Sequence, residues 1–190
     1  MNSATKILRE EHDTILEMLG SLGAVVQRIE AHEAVAIETL NELTDFFVLF
    51  ADLSHHGKEE RLLFPLMERK GVPRAGGPLG CMLAEHDEGR AYIHTMKQNA
   101  MGSAQGDESA RKLWAGAARG YSTLLRNHIW KENEILFQIA ERILSPEEQT
   151  SLAAQFAQMQ REKLDPEAEV RLLHTKQKMA REFAAVVQKN

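Results

Sequence analysis

The sequence predicts an all-α protein, an antiparallel four-helix bundle over residues 1–144 followed by a helical C-terminal extension over residues 145–190. Three observations predict it. Apolar residues recur at spacings of three and four through long segments. Glycine and proline cluster at only two interior places, around 71–80 (GVPRAGGPLG) and 101–107 (MGSAQGD). Finally, polar triplets of the first half return in the second half at a nearly constant offset.

The first helix is expected from about residue 4 to 30, with Ile7, Leu8, Ile15, Met18, Leu19, Leu22, Val25, Val26 and Ile29 on one stripe. The second runs from about 34 to 69, with Ile37, Leu40, Leu43, Phe47, Phe50, Leu62, Leu63 and Leu66 inward and Pro65 kinking or loosening its last turns. The third spans about 79 to 100 and the fourth about 108 to 143. Ser145-Pro146-Glu147-Glu148 is an N-cap, a proline at the first helical position and a capping-box glutamate. Asp165-Pro166-Glu167 repeats the cap-plus-proline signal, so the extension holds two short helices. Their residues Leu152, Phe156, Met159 and Leu164 can fold back over the bundle or form a homodimer contact.

A chain of 190 residues with 43% hydrophobic and 27% charged content can bury a core without staples. The net charge of −5 and the lack of a Lys/Arg-dense run argue against a nucleic-acid partner. The single cysteine, Cys81, excludes an internal disulfide, fits a reducing compartment and reads as a small buried residue. The start MNSATKILREEHD lacks the apolar stretch of a signal peptide, and the densest apolar run, Phe46 to Phe50, is too short for a membrane span. A cytoplasmic location without membrane contact is expected.

The repeat locates the chemistry. Glu11-His12-Asp13 returns as Glu85-His86-Asp87, an offset of 86 − 12 = 74. His55-x3-Glu59-x3-Leu63-Phe64 returns as His128-x3-Glu132-x3-Leu136-Phe137, an offset of 128 − 55 = 73. Helices one and two are thus echoed by three and four. A spacing of four stacks His and Glu on one helix face, roughly 5–6 Å apart. His12 and His86 lie roughly 12 Å into their helices, and the His-x3-Glu pairs lie roughly 15–22 Å before theirs finish. In an up-down-up-down bundle all six groups fall near one level.

Four imidazoles and two carboxylates inside an apolar bundle carry a large penalty unless something binds them. A pair of metal ions removes it. If Glu59 and Glu132 bridge, each ion receives two histidines from His12, His55, His86 and His128, and coordination positions stay open. Mixed N/O ligation with open positions suits iron best, then manganese, with zinc behind. Only His55 with Glu59 is in phase with His128 and Glu132 relative to the shared Leu-Phe anchor. His56 with Glu60 is rotated by about 100° and reads as flanking polar residues.

At Ser54-His55-His56-Gly57-Lys58-Glu59-Glu60-Arg61-Leu62-Leu63-Phe64-Pro65, Glu85-His86-Asp87-Glu88 and His128-Ile129-Trp130-Lys131-Glu132-Asn133 the sequence resembles the hemerythrin-like, HHE cation-binding family, over about residues 4 to 140. It is also similar there to di-iron proteins implicated in the repair of iron centres after nitrosative stress. The resemblance implies two iron ions, oxo- or hydroxo-bridged, with the four histidines as terminal ligands. Arg90 stands where oxygen-carrying hemerythrins have a further histidine, which implies an extra open position on one iron. In the repair proteins a cysteine-bearing region precedes the bundle, whereas the additional helices here follow it.

The expected function is binding or sensing of oxygen, nitric oxide or peroxide. The alternatives are a di-iron oxidoreductase or iron donor in oxidative and nitrosative stress defence, and a storage or structural site for iron or zinc. His32, His94 and His174 read as surface residues, and Met18, Met67, Met82 and Met96 as core filling. Leu63 and Leu136 are expected to line a dry pocket. Tyr121, seven residues before His128, reads as a core residue or a hydrogen-bond donor behind the ligands. Glu11, Asp13, Glu85, Asp87 and Glu88 read as solvated, with one available to orient an imidazole.

Overall fold

The computed structural model describes residues 3–187, and every regular element among them is helical. α1 (Ala4–Glu30) starts where the Ser3 hydroxyl accepts the Lys6 amide N–H, and it ends at His32, whose φ of 56° is left-handed. The second rod begins at Ile37, three residues later than expected, because residues 33–36 carry the chain across without regular structure and Ala36 is extended. It consists of α2 (Ile37–Phe46), two π-helical segments (Phe47–His56 and Glu59–Leu63) and α3 (Phe64–Arg69). The loosening expected before Pro65 is therefore a change of helix type. Proline has no N–H to give to the carbonyl four residues back, and the Phe64 N–H bonds Glu59 O, five residues back.

α4 (Pro78–Ala104) is the third rod. Its N-cap must be Gly77, because a Cβ there would lie 2.2 Å from the Pro73 carbonyl oxygen. The fourth rod is capped by the Asp107 carboxylate on the Ala110 N–H and comprises α5 (Glu108–Lys131), a π-helical segment (Glu132–Leu136) and α6 (Phe137–Ile143). In the extension, α7 (Pro146–Lys163) opens with the full Ser145/Glu148 capping box, and α8 (Pro166–Val187) is capped by Asp165 on the Ala168 N–H at 2.7 Å. The extension folds back. α7 packs on α1 and the π-helical segments of the second rod, and α8 on α1 and α2.

Among the described residues the core is two apolar clusters rather than one. The larger runs from Ile15, Phe47 and Ile93 to Trp114 and Leu125 and includes Met179 and Phe183 of α8. The smaller gathers Leu8, Leu63, Phe64, Met82, Leu136 and Phe137 with Leu152 and Phe156 of α7. Each rod crosses from one cluster to the other at a polar position: His12 between Leu8 and Ile15, Glu59 between Ala51 and Leu63, His86 between Met82 and Ile93, Glu132 between Ile129 and Leu136. A buried polar belt thus divides the core. Cys81 departs from its expected burial: it lies beside the buried Leu79–Met82–His86 stripe of α4 and is exposed. Among the described residues no helix is long and apolar enough to cross a membrane.

Because α7 closes the smaller cluster, Phe156→Ala, at a position 1% exposed, is expected to cost about 3–5 kcal/mol. Val170→Ala on exposed α8 surface should cost less than about 0.5 kcal/mol. Urea unfolding measures both, and equal effects would contradict the packing.

Candidate metal centre

The belt brings together all six residues singled out by the repeat. Two groups of ligand atoms form, each with every atom within 4.8 Å of the others: His12, His55, Glu59 and Glu132 in one, His56, Glu59, His86 and His128 in the other. All are buried. Glu59 belongs to both groups, its Oε1 3.6 Å from His55 Nε2 and its Oε2 3.6 Å from His86 Nε2. Glu132 spans them too, with Oε2 3.1 Å from His12 Nε2 and 3.3 Å from His128 Nε2.

His56 corrects the expectation. It is 4% exposed, neither ring nitrogen has a hydrogen-bond partner, and its ring stacks on His86 at 3.8 Å. The expected rotation of about 100° assumed α-helical geometry. His55 and His56 instead close a π-helical segment, whose wider i→i+5 turn narrows the angle between neighbours so that both rings reach the belt. Glu60 follows on the outer side, half-buried. Arg90 takes no part in either group. It pairs with Asp52, Glu60 and Asp87 at 2.6–2.9 Å, while His56 adds a nitrogen to the group that contains His86.

An outer ring aims the imidazoles. His55 Nδ1–H donates to Glu11 at 2.9 Å and His128 Nδ1–H to Glu85 at 2.9 Å, so two of the acidic neighbours expected to be solvated orient imidazoles instead. His86 Nδ1–H donates to Glu60 at 2.7 Å and His12 Nδ1–H to the Asn133 side-chain oxygen at 2.9 Å. Since these acceptors cannot donate, each ring keeps a proton on Nδ1 and turns Nε2 inward. Lys58 and Lys131 bind Glu11 and Glu85 from behind. This ring obeys the repeat: 58 + 73 = 131 and 11 + 74 = 85, while Glu60 has Asn133 as its counterpart. The Lys58/Lys131 recurrence was a readable signal for it; the inward turn of His56 left none.

Charge and lone pairs in the belt lack partners in the protein. His12 Nε2, His55 Nε2, both nitrogens of His56 and all four oxygens of Glu59 and Glu132 are buried without a hydrogen bond. His86 Nε2 and His128 Nε2 face each other at 3.1 Å, an approach that only a shared proton or a cation makes favourable. Burial and the neighbouring Glu132 charge push the Glu59 carboxyl well up. Burial acts on Glu132 the same way, but His128 and His12 outweigh it and hold it well down. Burial depresses His128, yet Glu132 and Glu85 outweigh it and raise the ring to about 9. Burial and His12 lower His55 to about 4, against Glu11. The donor set, nitrogen and oxygen with no sulfur, fits a cation of intermediate hardness.

His32, His94 and His174 are exposed, as expected, and Met18, Met67, Met82 and Met96 are buried. Leu63 and Leu136 are buried one turn beyond the glutamates. Tyr121 is buried against Phe47, with its hydroxyl unpartnered and pushed up by burial and by Asp52.

With His128 at about 9, its ring carries an extra proton in the cation-free protein at neutral pH and must lose it to ligate, and the upward shift of Glu59 acts in the same direction. Loading should therefore release protons, that of His128 among them, and affinity should rise with pH until His128 deprotonates unaided near 9. Ferrous-ion titration in weakly buffered solution reads this directly; a pH-independent affinity would contradict it.

The sequence model of the hemerythrin HHE cation binding domain matches residues 3–140. The iron-sulfur cluster repair protein YtfE of Musicola paradisiaca is 30% identical over 141 residues, 72% of this chain and 63% of that protein. The proteins of the same name from Yersinia pseudotuberculosis and Cronobacter sakazakii are 29% and 30% identical over 146 and 136 residues, covering 74% and 69% of this chain and 66% and 61% of those proteins. The chain thus spans somewhat less than two thirds of the length of these relatives. No solved structure gives a significant match. The matched region begins at the Ser3 cap, ends within α6 and contains every residue of the buried belt, so the chain belongs to the hemerythrin HHE cation binding domain family.

Proposed function

We propose that this chain is a di-iron protein of oxidative or nitrosative stress defence, acting as an oxidoreductase on peroxide or nitric oxide or as an iron donor. The observation that carries it is the pair of ligand groups that share Glu59 and are spanned by Glu132. His12 and His55 would hold one ion, His56, His86 and His128 the other, with Glu59 and Glu132 between them. The relatives named as iron-sulfur cluster repair proteins support the stress-defence reading. A bound iron pair supplies one-electron chemistry at positions the protein leaves open.

The chain's own residues do the rest. Glu11, Glu60, Glu85 and Asn133 hold the rings in the ligating tautomer. Phe137 stacks on His12 at 5.4 Å and Phe64 on His86 at 6.0 Å, and with Leu63 and Leu136 they close the belt to water on one side. So enclosed a site suits a diatomic gas or peroxide rather than a bulky substrate. Reversible binding or sensing of such a ligand is the second reading. It is favoured by His56, which restores to the His86 group a nitrogen that Arg90 withholds.

Protein produced with iron available is expected to contain two irons per chain and to absorb in the near-ultraviolet. Zinc alone and no colour would overturn both readings. Catalytic loss of peroxide or nitric oxide supports the first, and stoichiometric binding without turnover the second. His128→Ala and Glu132→Ala should abolish metal binding, His56→Ala should lower retention of one ion by about tenfold or more, and exposed His94→Ala should change nothing.

A further inference from the structure

We infer that the C-terminal extension is a working part of the metal centre, with Gln160 and Met159 of α7 as positioning residues for the His12/His55 half. The inference rests on the two-ion reading above.

Lys58–Glu11–His55 and Lys131–Glu85–His128 are equivalent arms, each a lysine holding a carboxylate that orients an imidazole. Their surroundings are not equivalent. The Lys131 side chain is 29% exposed, while that of Lys58 is 1% exposed. The difference is α7. Lys58 Nζ donates to the Gln160 side-chain oxygen at 3.2 Å as well as to Glu11, and the Gln160 amide donates to Glu169 of α8 at 3.2 Å. A continuous chain of polar contacts therefore runs from α8 through α7 to the His55 ring.

Met159 adds a packing contact. Its terminal methyl lies 3.3 Å from where a Cβ on Gly57 would stand, on the backbone that joins His56 to Lys58. The repeat places Trp130 opposite Gly57, since 57 + 73 = 130, and Trp130 is 60% exposed with no helix over it. The extension thus seats on one arm only, in close contact there with a glycine. A buried ammonium is disfavoured unless its N–H groups find acceptors. Without Gln160, the buried Lys58 ammonium would keep Glu11 as its one remaining side-chain partner, and water entering in place of the amide would weaken that pair and loosen the ring of His55. The other arm has no such dependence.

The test follows the release of iron from the full-length, iron-loaded chain to a ferrous chelator under reducing conditions. Gln160→Ala and Met159→Ala are each expected to speed release of one of the two ions about tenfold, at the lower end of outer-shell effects, and to leave the other ion unchanged. Gln160→Glu keeps an acceptor for Lys58 but loses the donor to Glu169, so slow release in this variant places the effect on the Lys58 contact. Lys131→Met, on the uncovered arm, should speed the other ion instead. Unfolding of each metal-free variant separates this from a merely structural role, which would lower stability and speed both ions alike. Equal acceleration of both ions, or none, in both α7 variants would overturn the inference. A wild-type chain that takes up only one ion would instead overturn the two-ion reading on which it rests.

Discussion

Five imidazoles and two carboxylates lie in one buried belt, with most of their inward-facing atoms unpartnered and two Nε2 atoms 3.1 Å apart. In a low-dielectric interior such groups are destabilising unless positive charge sits among them. The apolar clusters on either side are shaped by this constraint. Each rod interrupts its hydrophobic stripe at the same height, and the two clusters meet only around the belt. The protonation pattern shows the same tension: Glu59 is driven toward its neutral form while Glu132 is kept charged by His128 and His12. A cation would reverse the cost, because the rings of His12, His55, His86 and His128 are already turned toward it by hydrogen bonds from behind.

Helix type is the means by which the belt is assembled. Glu59 and Glu132 each open a π-helical segment, and each segment closes with a bond from a phenylalanine N–H five residues on, Phe64 to Glu59 and Phe137 to Glu132. Such segments are less favourable than α-helix and persist where packing or function compensates. Here they set the carboxylates at the boundary of the two groups. The longer π-helical segment, Phe47–His56, gives the second rod two adjacent inward histidines where the fourth rod has His128 and an apolar Ile129. The centre is therefore two-fold in plan and unequal in detail.

Much of this was legible in the sequence because it depends on spacing. The bundle, the caps at Ser145 and Asp165, the offset repeat and six of the belt residues all follow from periodicities of three, four and seventy-three or seventy-four. His56 was not legible, because α-helical geometry assigns consecutive residues to different faces and no propensity rule marks a π turn there. Cys81 was misjudged for the opposite reason: residue type suggested burial, whereas its position beside the α4 stripe decided exposure. The docking of the extension lay beyond sequence as well. An apolar stripe states that a helix needs a partner, and only the contacts of Phe156, Met159 and Gln160 identify it.

The account turns on whether the belt holds two ions at the two places its donors define. Anomalous diffraction from crystals of the iron-loaded protein, collected at the iron absorption edge, tests this most directly. Two peaks are expected, one enclosed by His12, His55, Glu59 and Glu132 and one by His56, His86, His128 and Glu59. A single peak, or a second peak with His56 turned away from it, would contradict the account.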